Sequence, residues 1–386
     1  MNKFSDLYES YSKKTFDKIL SSVKEFNKDS KVYFVGGAVR DEIMGFEPKD
    51  IDFLVTKITL SDLASVLEPL GKINEVGKSF GIVKAVIDGE EFDFAIPRTE
   101  TSTGSGHRDQ ITTTDPSLSV EDDLARRDFT FNAIAKDVET GEYIDPFNGQ
   151  KDISDKVINA VGNPDVRFTE DPLRMLRAVQ FAVRFGFKFD PKTAASIKKN
   201  IGLLNNLSEE RFREEFSKAI TKSITGDSKE FLKLLSDTGI GKFLFSESFN
   251  PIPVKSKDIN VNLVALFING GNYKKLKLSN SENEMIELAR KTLSESPEPW
   301  KWCKKVELME PVLEFLKLSE KKEWVYAKKI ISFPLTLKSL AVSGDDLMAS
   351  GIPNTQIGKV TNSIIEAIWN GQLKNDKEAI LSFVSK

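Results

Sequence analysis

Short apolar stretches, several of them alternating with polar residues, mark the first part of the chain. They lie at 32–35, 51–55, 81–87 and 92–96, and helix-like or turn-rich segments separate them. Alternation with a period of two is typical of half-buried strands. The first 30 residues instead carry the mixed apolar face of a helix. Up to about residue 150, the pattern therefore predicts a sheet combined with helices.

Beyond about residue 150 the apolar residues recur at three- and four-residue steps, which predicts helices. Proline-containing stretches at 251–253 and 296–299 could separate subdomains of this helical part. In the first part, residues 98–119 contain Thr, Ser, Gly, Asp and Pro but almost no core residues, a composition typical of a mobile loop. The expected architecture is an α/β head followed by a helical remainder.

Composition narrows the class of protein. The chain has 386 residues, 40% hydrophobic and 29% charged, and no apolar run approaches the roughly 20 residues that span a bilayer. We therefore expect no membrane association and a cytoplasmic location. A net charge of −3 means that local basic surface must make any nucleic-acid contact. A single cysteine, Cys303, excludes an intramolecular disulfide, and a single histidine, His107, excludes phosphohydrolases that bind metal through several histidines.

Two aspartates, Asp50 and Asp52, are candidates for a metal site. A strand places residues i and i+2 on one face, and two neighbouring carboxylates repel unless a cation lies between them. Hard divalent metals prefer oxygen ligands, and Asp93 on a later predicted strand could complete a triad for two Mg²⁺ ions or simply face solvent. Gly36 and Gly37 open a predicted helix, where backbone N–H groups can bind phosphate or merely form a tight turn. Together these features predict nucleotidyl transfer.

A second group of charged residues lies on a predicted helix for which Thr169 is the expected N-cap. Asp171, Arg174 and Arg177 follow at three-residue steps and share one helix face. Taken alone, this spacing is equally typical of an ion pair on a solvated helix. In an earlier stretch of the chain, polar residues interrupt apolar residues that are typical of a core. These polar residues, which need hydrogen-bond partners if buried, are Arg126, Arg127, Asp128 and Asn132.

The chain resembles the class II tRNA nucleotidyltransferases (CCA-adding enzymes) and the related bacterial poly(A) polymerases. The similar motifs occur in the order found in that family, and they are Gly36-Gly37-Ala38-Val39-Arg40-Asp41, Asp50-x-Asp52, Arg126-Arg127-Asp128-Phe129-Thr130-x-Asn132-Ala133, Glu170-Asp171-x-x-Arg174-x-x-Arg177 and Leu207-Ser208-Glu209-Glu210-Arg211-x-x-x-Glu215. The resemblance is dense over 31–220, thin over 220–335 and visible again over 336–386.

This resemblance implies an α+β fold with a polymerase-beta-like nucleotidyltransferase head and an all-helical remainder. The implied divisions are a catalytic head at 1–150, a neck with the nucleotide-selecting motif at 151–220, a body at 221–335 and a tRNA-binding tail at 336–386. The implied reaction is the sequential, template-independent addition of C, C and A to the 3′ end of tRNA from CTP and ATP.

The resemblance also implies roles for individual residues. Asp50 and Asp52 would hold two Mg²⁺ ions, and Asp93 lies where many relatives carry a third acidic residue. The residues implied to bind the nucleotide are Gly36, Gly37, Arg40, Arg127, Asp128, Asn132, Asp171, Arg174 and Arg177. Residues 98–115 correspond to a flexible loop that is tied to switching from CTP to ATP, and His107 is a loop residue within it.

Asp171 and Arg174 would read the base. The amino groups of cytosine and adenine can donate to a carboxylate, and the ring nitrogen beside each can accept from an arginine. Uracil and guanine present a carbonyl in place of the amine, and an unpaired buried polar group costs about 1–3 kcal/mol. Such a site accepts C and A and rejects U and G.

The nearest alternatives are a poly(A) polymerase and a CC- or A-adding enzyme, which share nearly every site residue. Residues 319–386 hold nine lysines and seven acidic residues, unlike the strongly basic tails often found in such poly(A) polymerases. A non-catalytic RNA-binding relative is a different class, and the paired aspartates argue against it. The expected partners are tRNA, CTP and ATP, and the chain is expected to be a monomer or a homodimer.

Overall fold

The structure is a computed structural model, and it describes residues 13–48, 50–74, 81–102, 110–294, 306–323, 328 and 339–385. The chain divides into two compact units, Met1–Glu215 and Phe216–Lys386. All the strands that the structure describes belong to the first unit. Within the described residues no helix is long and apolar enough to cross a bilayer.

The first unit is built on a mixed sheet of seven strands in the order β3-β4-β5-β2-β1-β8-β9. The pairing of β2 with β5 is parallel, and the other pairings in this sheet are antiparallel. Two small two-stranded sheets, β6-β7 and β10-β11, accompany it. The strands are β1 (Val32–Val35), β2 (Asp52–Val55), β3 (Gly71–Asn74), β4 (Ile82–Ile87), β5 (Glu90–Ala95), β6 (Arg98–Ser102), β7 (Gln110–Thr114), β8 (Ala135–Asp137), β9 (Tyr143–Ile144), β10 (Val157–Ile158) and β11 (Lys188–Phe189).

Nine α-helices are described in or beginning in the first unit, and the last of them crosses the division between the units. They are α1 (Lys13–Phe26), α2 (Gly37–Ile43), α3 (Leu60–Leu67), α4 (Val120–Ala125), α5 (Gly149–Asp155), α6 (Pro164–Glu170), α7 (Leu173–Phe185), α8 (Pro191–Asn200) and α9 (Glu209–Thr221). Short 3₁₀ turns lie at 68–70, 130–132 and 201–206.

Aromatic side chains form the core on one face of the sheet. Phe34, Phe53, Phe92 and Phe94 project from its strands, and Phe16 of α1 packs against three of them with ring centroids 5.3–6.2 Å apart. All five side chains are buried. This packing fixes strand register, because a shift by one residue would turn every ring to the other face.

On the opposite face, residues of β1, β2 and β8 join α4 in a second apolar cluster. Leu54 and Leu124 are fully buried there, beside Val35 and Ala135. Asp52 lies on this same face, because it is two residues from Leu54 along β2. The second cluster therefore anchors the part of the sheet from which the polar site residues project.

The second unit is helical in all of its described regular structure. After the end of α9, its helices are α10 (Ser228–Thr238), α11 (Ile240–Phe245), α12 (Ile259–Phe267), α13 (Asn280–Ser294), α14 (Val306–Leu318), α15 (Gly344–Ala349), α16 (Ile357–Trp369) and α17 (Lys377–Val384). The predicted combination of a sheet-containing head and a helical remainder is confirmed. The finer division into head, neck, body and tail stays a prediction.

The predicted loop at 98–119 differs from the structure. Strands β6 and β7 pair antiparallel within it, with Arg98 opposite Thr114. The stretch is rich in threonine, and β-branched residues favour strands even where they add little to a core. Residues 103–109, which include His107, lie outside the described residues, so the predicted role of that histidine stays a prediction.

Candidate active site

A cavity of about 560 Å³ in the first unit brings together most of the predicted site residues. Backbone and side chains of β1, α2, β2 and β5 line one part of it, and residues around α4 and α7 line another. Its charged lining is dominated by arginine. The eight arginines and four aspartates are Arg40, Arg98, Arg126, Arg127, Arg174, Arg177, Arg184, Arg211, Asp52, Asp93, Asp128 and Asp171.

Gly36 forms the turn from β1 into α2, as predicted, with φ of +72°. A Cβ at this position would lie 3.1 Å from Nη1 of Arg127 and 3.6 Å from Oδ2 of Asp52. The positive φ favours glycine here, and a Cβ would also crowd Nη1 of Arg127, while its distance from Asp52 is an ordinary contact. The turn leaves open backbone between a cationic and an anionic group.

Asp52 is the first residue of β2, and Asp93 is its register partner on β5. Burial raises the pKa of Asp52, and the neighbouring charges of Asp93 and Asp50 raise it further, against a lowering by Arg127. Asp50 lies in an exposed bend before β2 and is not among the residues that line the cavity. The predicted strand geometry for Asp50 and Asp52 is therefore wrong, because strand pairing begins at Asp52 opposite Val35.

Asp93 is held by a cation from within the chain. Nζ of Lys84 lies 2.7 Å from both carboxylate oxygens of Asp93. Across the part of the chain that the structure describes, no three His, Cys, Asp or Glu side chains converge as a metal-binding group. Asp52, by contrast, receives no side-chain hydrogen bond from any described residue, so its carboxylate is available to a ligand.

Arg40, Asn132 and Asp128 form a continuous buried chain. Nη1 of Arg40 donates to Oδ1 of Asn132 at 2.7 Å, and Nδ2 of Asn132 donates to Oδ1 of Asp128 at 3.0 Å. Nε of Arg177 donates to Oδ2 of Asp128 at 2.8 Å. Burial opposes ionisation of Asp128, but the charge of Arg177 and the hydrogen bonds from Asn132 and Arg177 hold its pKa below the ordinary value. The structure thus brings four predicted nucleotide-binding residues into one network.

Asp123 fixes the two arginines that follow α4. It is fully buried and accepts from Nε and Nη2 of Arg126 at 2.9 and 2.7 Å and from Nη2 of Arg127 at 3.0 Å. Nη1 of Arg127 also donates to the carbonyl oxygen of Asn132 at 3.3 Å. These contacts hold Arg127 beside Gly36, and they leave its charge facing the cavity.

Asp171 and Arg174 both line the cavity, and hydrogen bonds from other residues hold each in place. Arg174 donates to Oε2 of Glu170 at 2.8 Å and to the carbonyl oxygens of Arg126 and Arg167 at 3.0 and 3.3 Å. Asp171 accepts from Nη2 of Arg211 at 3.2 Å. The orientation of both groups is therefore set before any nucleotide enters.

The prediction that Thr169 is an N-cap is wrong. Thr169 lies inside α6, where its hydroxyl donates to the carbonyl oxygen of Asp165 at 2.8 Å. Asp171 has extended backbone between α6 and α7, and Pro172 precedes the first residue of α7. The residue before a proline is disfavoured in helical conformation, which explains the break at Asp171. Arg174 and Arg177 share a face of α7, as expected, while Asp171 lies at the helix junction.

Three residues of this region had no role in the sequence-based prediction. Lys84 is the one charged residue of β4, and a lone charge within an apolar strand is a signal that could have identified it. Asp123 precedes Arg126 and Arg127 by three and four residues, the spacing of ion pairs on a helix. Arg184 lies seven residues after Arg177, two turns along the same face of α7, and lines the cavity.

Comparisons with known proteins assign the family. Residues 32–159 match the family model described as the poly A polymerase head domain, and residues 186–250 match the one described as the probable RNA and SrmB-binding site of polymerase A. The CCA-adding enzyme of Geobacillus sp. is 33% identical over 404 aligned residues, which cover 95% of this chain and 96% of the relative. The CCA-adding enzyme of Enterococcus faecalis is 29% identical, with 94% of each chain covered.

Solved structures agree with this assignment. The CCA-adding enzyme of Bacillus stearothermophilus in complex with CTP matches with a TM-score of 0.72 and 26% identity over 96% of both chains. The CCA-adding enzyme of Thermotoga maritima complexed with tRNA has the same fold, with a TM-score of 0.64 at 21% identity over 95% of this chain and 93% of that one. The resemblance seen in the sequence motifs is confirmed: the chain belongs to the CCA-adding enzymes, a family of nucleotidyltransferases.

Proposed function

We propose that this protein adds C, C and A in sequence to the 3′ end of tRNA, using CTP and ATP as substrates. The observation that carries the proposal is the cavity, where an acidic edge at Asp52 and Asp93 faces an arginine-rich wall. The wall suits a triphosphate, and Asp52 at the acidic edge suits the ions that accompany it. A cytoplasmic location is part of the same proposal, because tRNA and both nucleotides occur together there.

Family membership implies a divalent metal, and we propose Mg²⁺. The residues present fit such an ion, because the carboxylate of Asp52 lines the cavity and accepts no side-chain hydrogen bond from the described residues. A carboxylate in that position is short of positive charge, and a hard cation with oxygen ligands supplies it. Asp50 and Asp52 would hold Mg²⁺, and the chemistry that it supplies when bound is activation of the 3′-hydroxyl and stabilisation of the leaving pyrophosphate.

The wall of the cavity would position the nucleotide. Arg40 and Arg127 would contact the triphosphate, because a planar guanidinium donates to two phosphate oxygens at once. Asp128 and Asn132 would hold the ribose, whose 2′-hydroxyl both donates and accepts. Hydrogen bonds of 2.7–3.0 Å already link Arg40, Asn132 and Asp128. These side chains therefore lose little conformational freedom when the nucleotide binds.

Base selection would rest on Asp171 and Arg174. The carboxylate would accept from the amino group of cytosine or adenine, while the guanidinium would donate to the neighbouring ring nitrogen. Arg174 is anchored by three oxygen acceptors, so the reading geometry does not depend on a nucleic-acid template. A uracil or guanine carbonyl would face the carboxylate, and the loss of pairing would exclude it.

The test is direct. The protein is incubated with Mg²⁺ and tRNAs that lack all three, the last two or the last one of the terminal nucleotides, with CTP and ATP separately and together. We expect CTP alone to add two residues, and ATP to be added once after them. Long tails of A on unrelated RNA would instead identify a poly(A) polymerase. Addition of C alone or of A alone would identify an enzyme of split specificity.

A further inference from the structure

Three charged residues form a row across neighbouring strands beside the cavity. Asp52 of β2 is in register with Asp93 of β5, and Asp93 is in register with Lys84 of β4. Residues in register on adjacent strands project on the same face, with neighbouring Cβ atoms about 5 Å apart. The row therefore follows from strand pairing and does not depend on one side-chain rotamer.

Lys84 engages Asp93 fully. Its ammonium lies 2.7 Å from both oxygens of the carboxylate. The side chains are 41% and 32% exposed, so the pair stands at the surface of the sheet, within reach of ions from solvent. A divalent ion could use Asp93 as a ligand only after the ammonium had left.

Asp52 accepts no side-chain hydrogen bond from the described residues. The charges of Asp93 and Asp50 raise its pKa, and those of Arg127 and Lys84 oppose them. The row thus holds two carboxylates of different availability. Asp93 is paired directly with a cation of the chain, whereas Asp52 lines the cavity without a direct ion pair among the described residues. A lysine next to a metal site also repels the incoming metal, because both are positively charged.

We propose that Lys84 acts as a resident cation that keeps Asp93 out of the metal coordination sphere and lowers the affinity of the site for divalent ions. This inference rests on the proposed function, because it concerns the metal site of that reaction. Asp93 is then a residue that tunes the site through charge, and Asp52 is the carboxylate that binds. Weak binding suits an ion that arrives and leaves with each nucleotide and pyrophosphate.

The experiment measures Mn²⁺ binding to the nucleotide-free protein from the electron paramagnetic resonance signal of the unbound ion. Lys84→Met removes the charge and keeps the length of the side chain, and we expect Mn²⁺ to bind about tenfold more tightly. Lys18→Met is the matched control, because Lys18 holds Asp88 at 2.8–2.9 Å with similar exposure. We expect no change in Mn²⁺ affinity for this control.

A second pair of variants separates release of Asp93 from simple loss of charge. Asp93→Asn should change Mn²⁺ affinity little in the natural chain but should cancel most of the gain in the Lys84→Met background. The proposal is overturned if Lys84→Met leaves the affinity unchanged or weakens it. It is also overturned if Asp93→Asn weakens binding equally in both backgrounds. Thermal unfolding confirms that each variant is folded.

The outcome is distinguishable from failure of the proposed function. If CCA is added to tRNA while Lys84→Met leaves the Mn²⁺ affinity unchanged, this inference alone fails. If Lys84→Met tightens Mn²⁺ binding but no tRNA is extended, the proposed function alone fails. Failure of both the natural chain and Lys84→Met to bind Mn²⁺, together with failure to extend any tRNA, would overturn both.

Discussion

Asp52 and Asp93 face each other across the parallel pair of strands in a sheet whose other pairings are antiparallel. The two positions are in register, so acidic side chains from distant parts of the chain meet at one edge of the cavity. Burial, together with the repulsion between the two carboxylates, explains the raised pKa of Asp52. The two positions are close in space, but their partners differ, and substitutions should separate them.

We expect Asp52→Asn to lower the rate of nucleotide addition about a thousandfold, which corresponds to about 4 kcal/mol of transition-state stabilisation. Asp93→Asn should lower the rate of nucleotide addition far less, because Lys84 already neutralises that carboxylate. Single-turnover addition of C to tRNA without its terminal nucleotides measures both. A similar loss for the two variants would contradict the different roles given to these carboxylates.

Substitution of Asp171 should weaken the selection of the base. Asp171→Asn replaces an acceptor with an amide that can also donate, so a carbonyl of uracil is no longer rejected. The ratio of UTP to CTP incorporation should rise about tenfold, in keeping with about 1–3 kcal/mol for an unpaired polar group. Arg40→Lys, which alters a triphosphate contact, provides the control: it should slow both nucleotides without changing their ratio.

Asp123 should contribute stability that depends on pH. Burial raises its pKa, but the charges and hydrogen bonds of Arg127 and Arg126 outweigh burial and hold it below the ordinary value of 3.8. The stabilisation is therefore complete above that value and is lost as the pH falls through the lower pKa of the folded state. Asp123→Asn should lower the free energy of unfolding by about 3 kcal/mol at neutral pH, because two arginines lose a buried partner.

The free energy of unfolding, measured with urea between about pH 7 and pH 3, checks the pH dependence. The natural chain should lose stability on acidification more steeply than Asp123→Asn. Parallel profiles for the two proteins would show that Asp123 takes up its proton equally in the folded and unfolded states, which contradicts the expectation.

A largely buried ion pair that joins α2 to β8 should show strong coupling. Nζ of Lys136 donates to Oε1 of Glu42 at 3.1 Å, and the hydroxyl of Tyr143 donates to the same oxygen. The charged side chains are 7% and 11% exposed. Lys136→Met should lower the free energy of unfolding by about 3–5 kcal/mol, because it leaves the buried charge of Glu42 without its cation.

The double variant Lys136→Met/Glu42→Gln should recover much of that loss, since the amide introduced at position 42 carries no charge and can still accept from Tyr143. Denaturant unfolding of the single and double variants gives the coupling energy. Losses that simply add would contradict the buried-pair description.

Local features of the site could be predicted from sequence because they depend on neighbouring residues. Gly36 and Gly37 form the turn into α2, and Arg174 and Arg177 share a face of α7, as their spacing requires. The break at Asp171 escaped prediction, although the proline that follows it was visible. There the restriction that a proline places on the backbone of the preceding residue overrides the helical spacing of the charges.

Partners from distant parts of the chain could not be predicted in this way. The contact of Lys84 with Asp93 depends on the register of β4 with β5, and the contact of Arg40 with Asn132 depends on how α2 packs near a 3₁₀ turn. A single sequence gives strand periodicity but not which strands pair. The paired strands within 98–119 illustrate the opposite error, where a polar composition concealed β-branched residues suited to a hairpin.

The connection between β2 and β5 has a consequence for how the protein is made. The chain must pass through α3, β3 and β4 before β5 can pair with β2. During synthesis, a chain that has emerged only as far as β4 can form its antiparallel β3–β4 ribbon but lacks the strand that carries Asp93. The acidic edge therefore assembles only after this non-local pairing, which is a slow class of contact to form. Until β5 emerges, a nascent chain has folded segments but no catalytic centre.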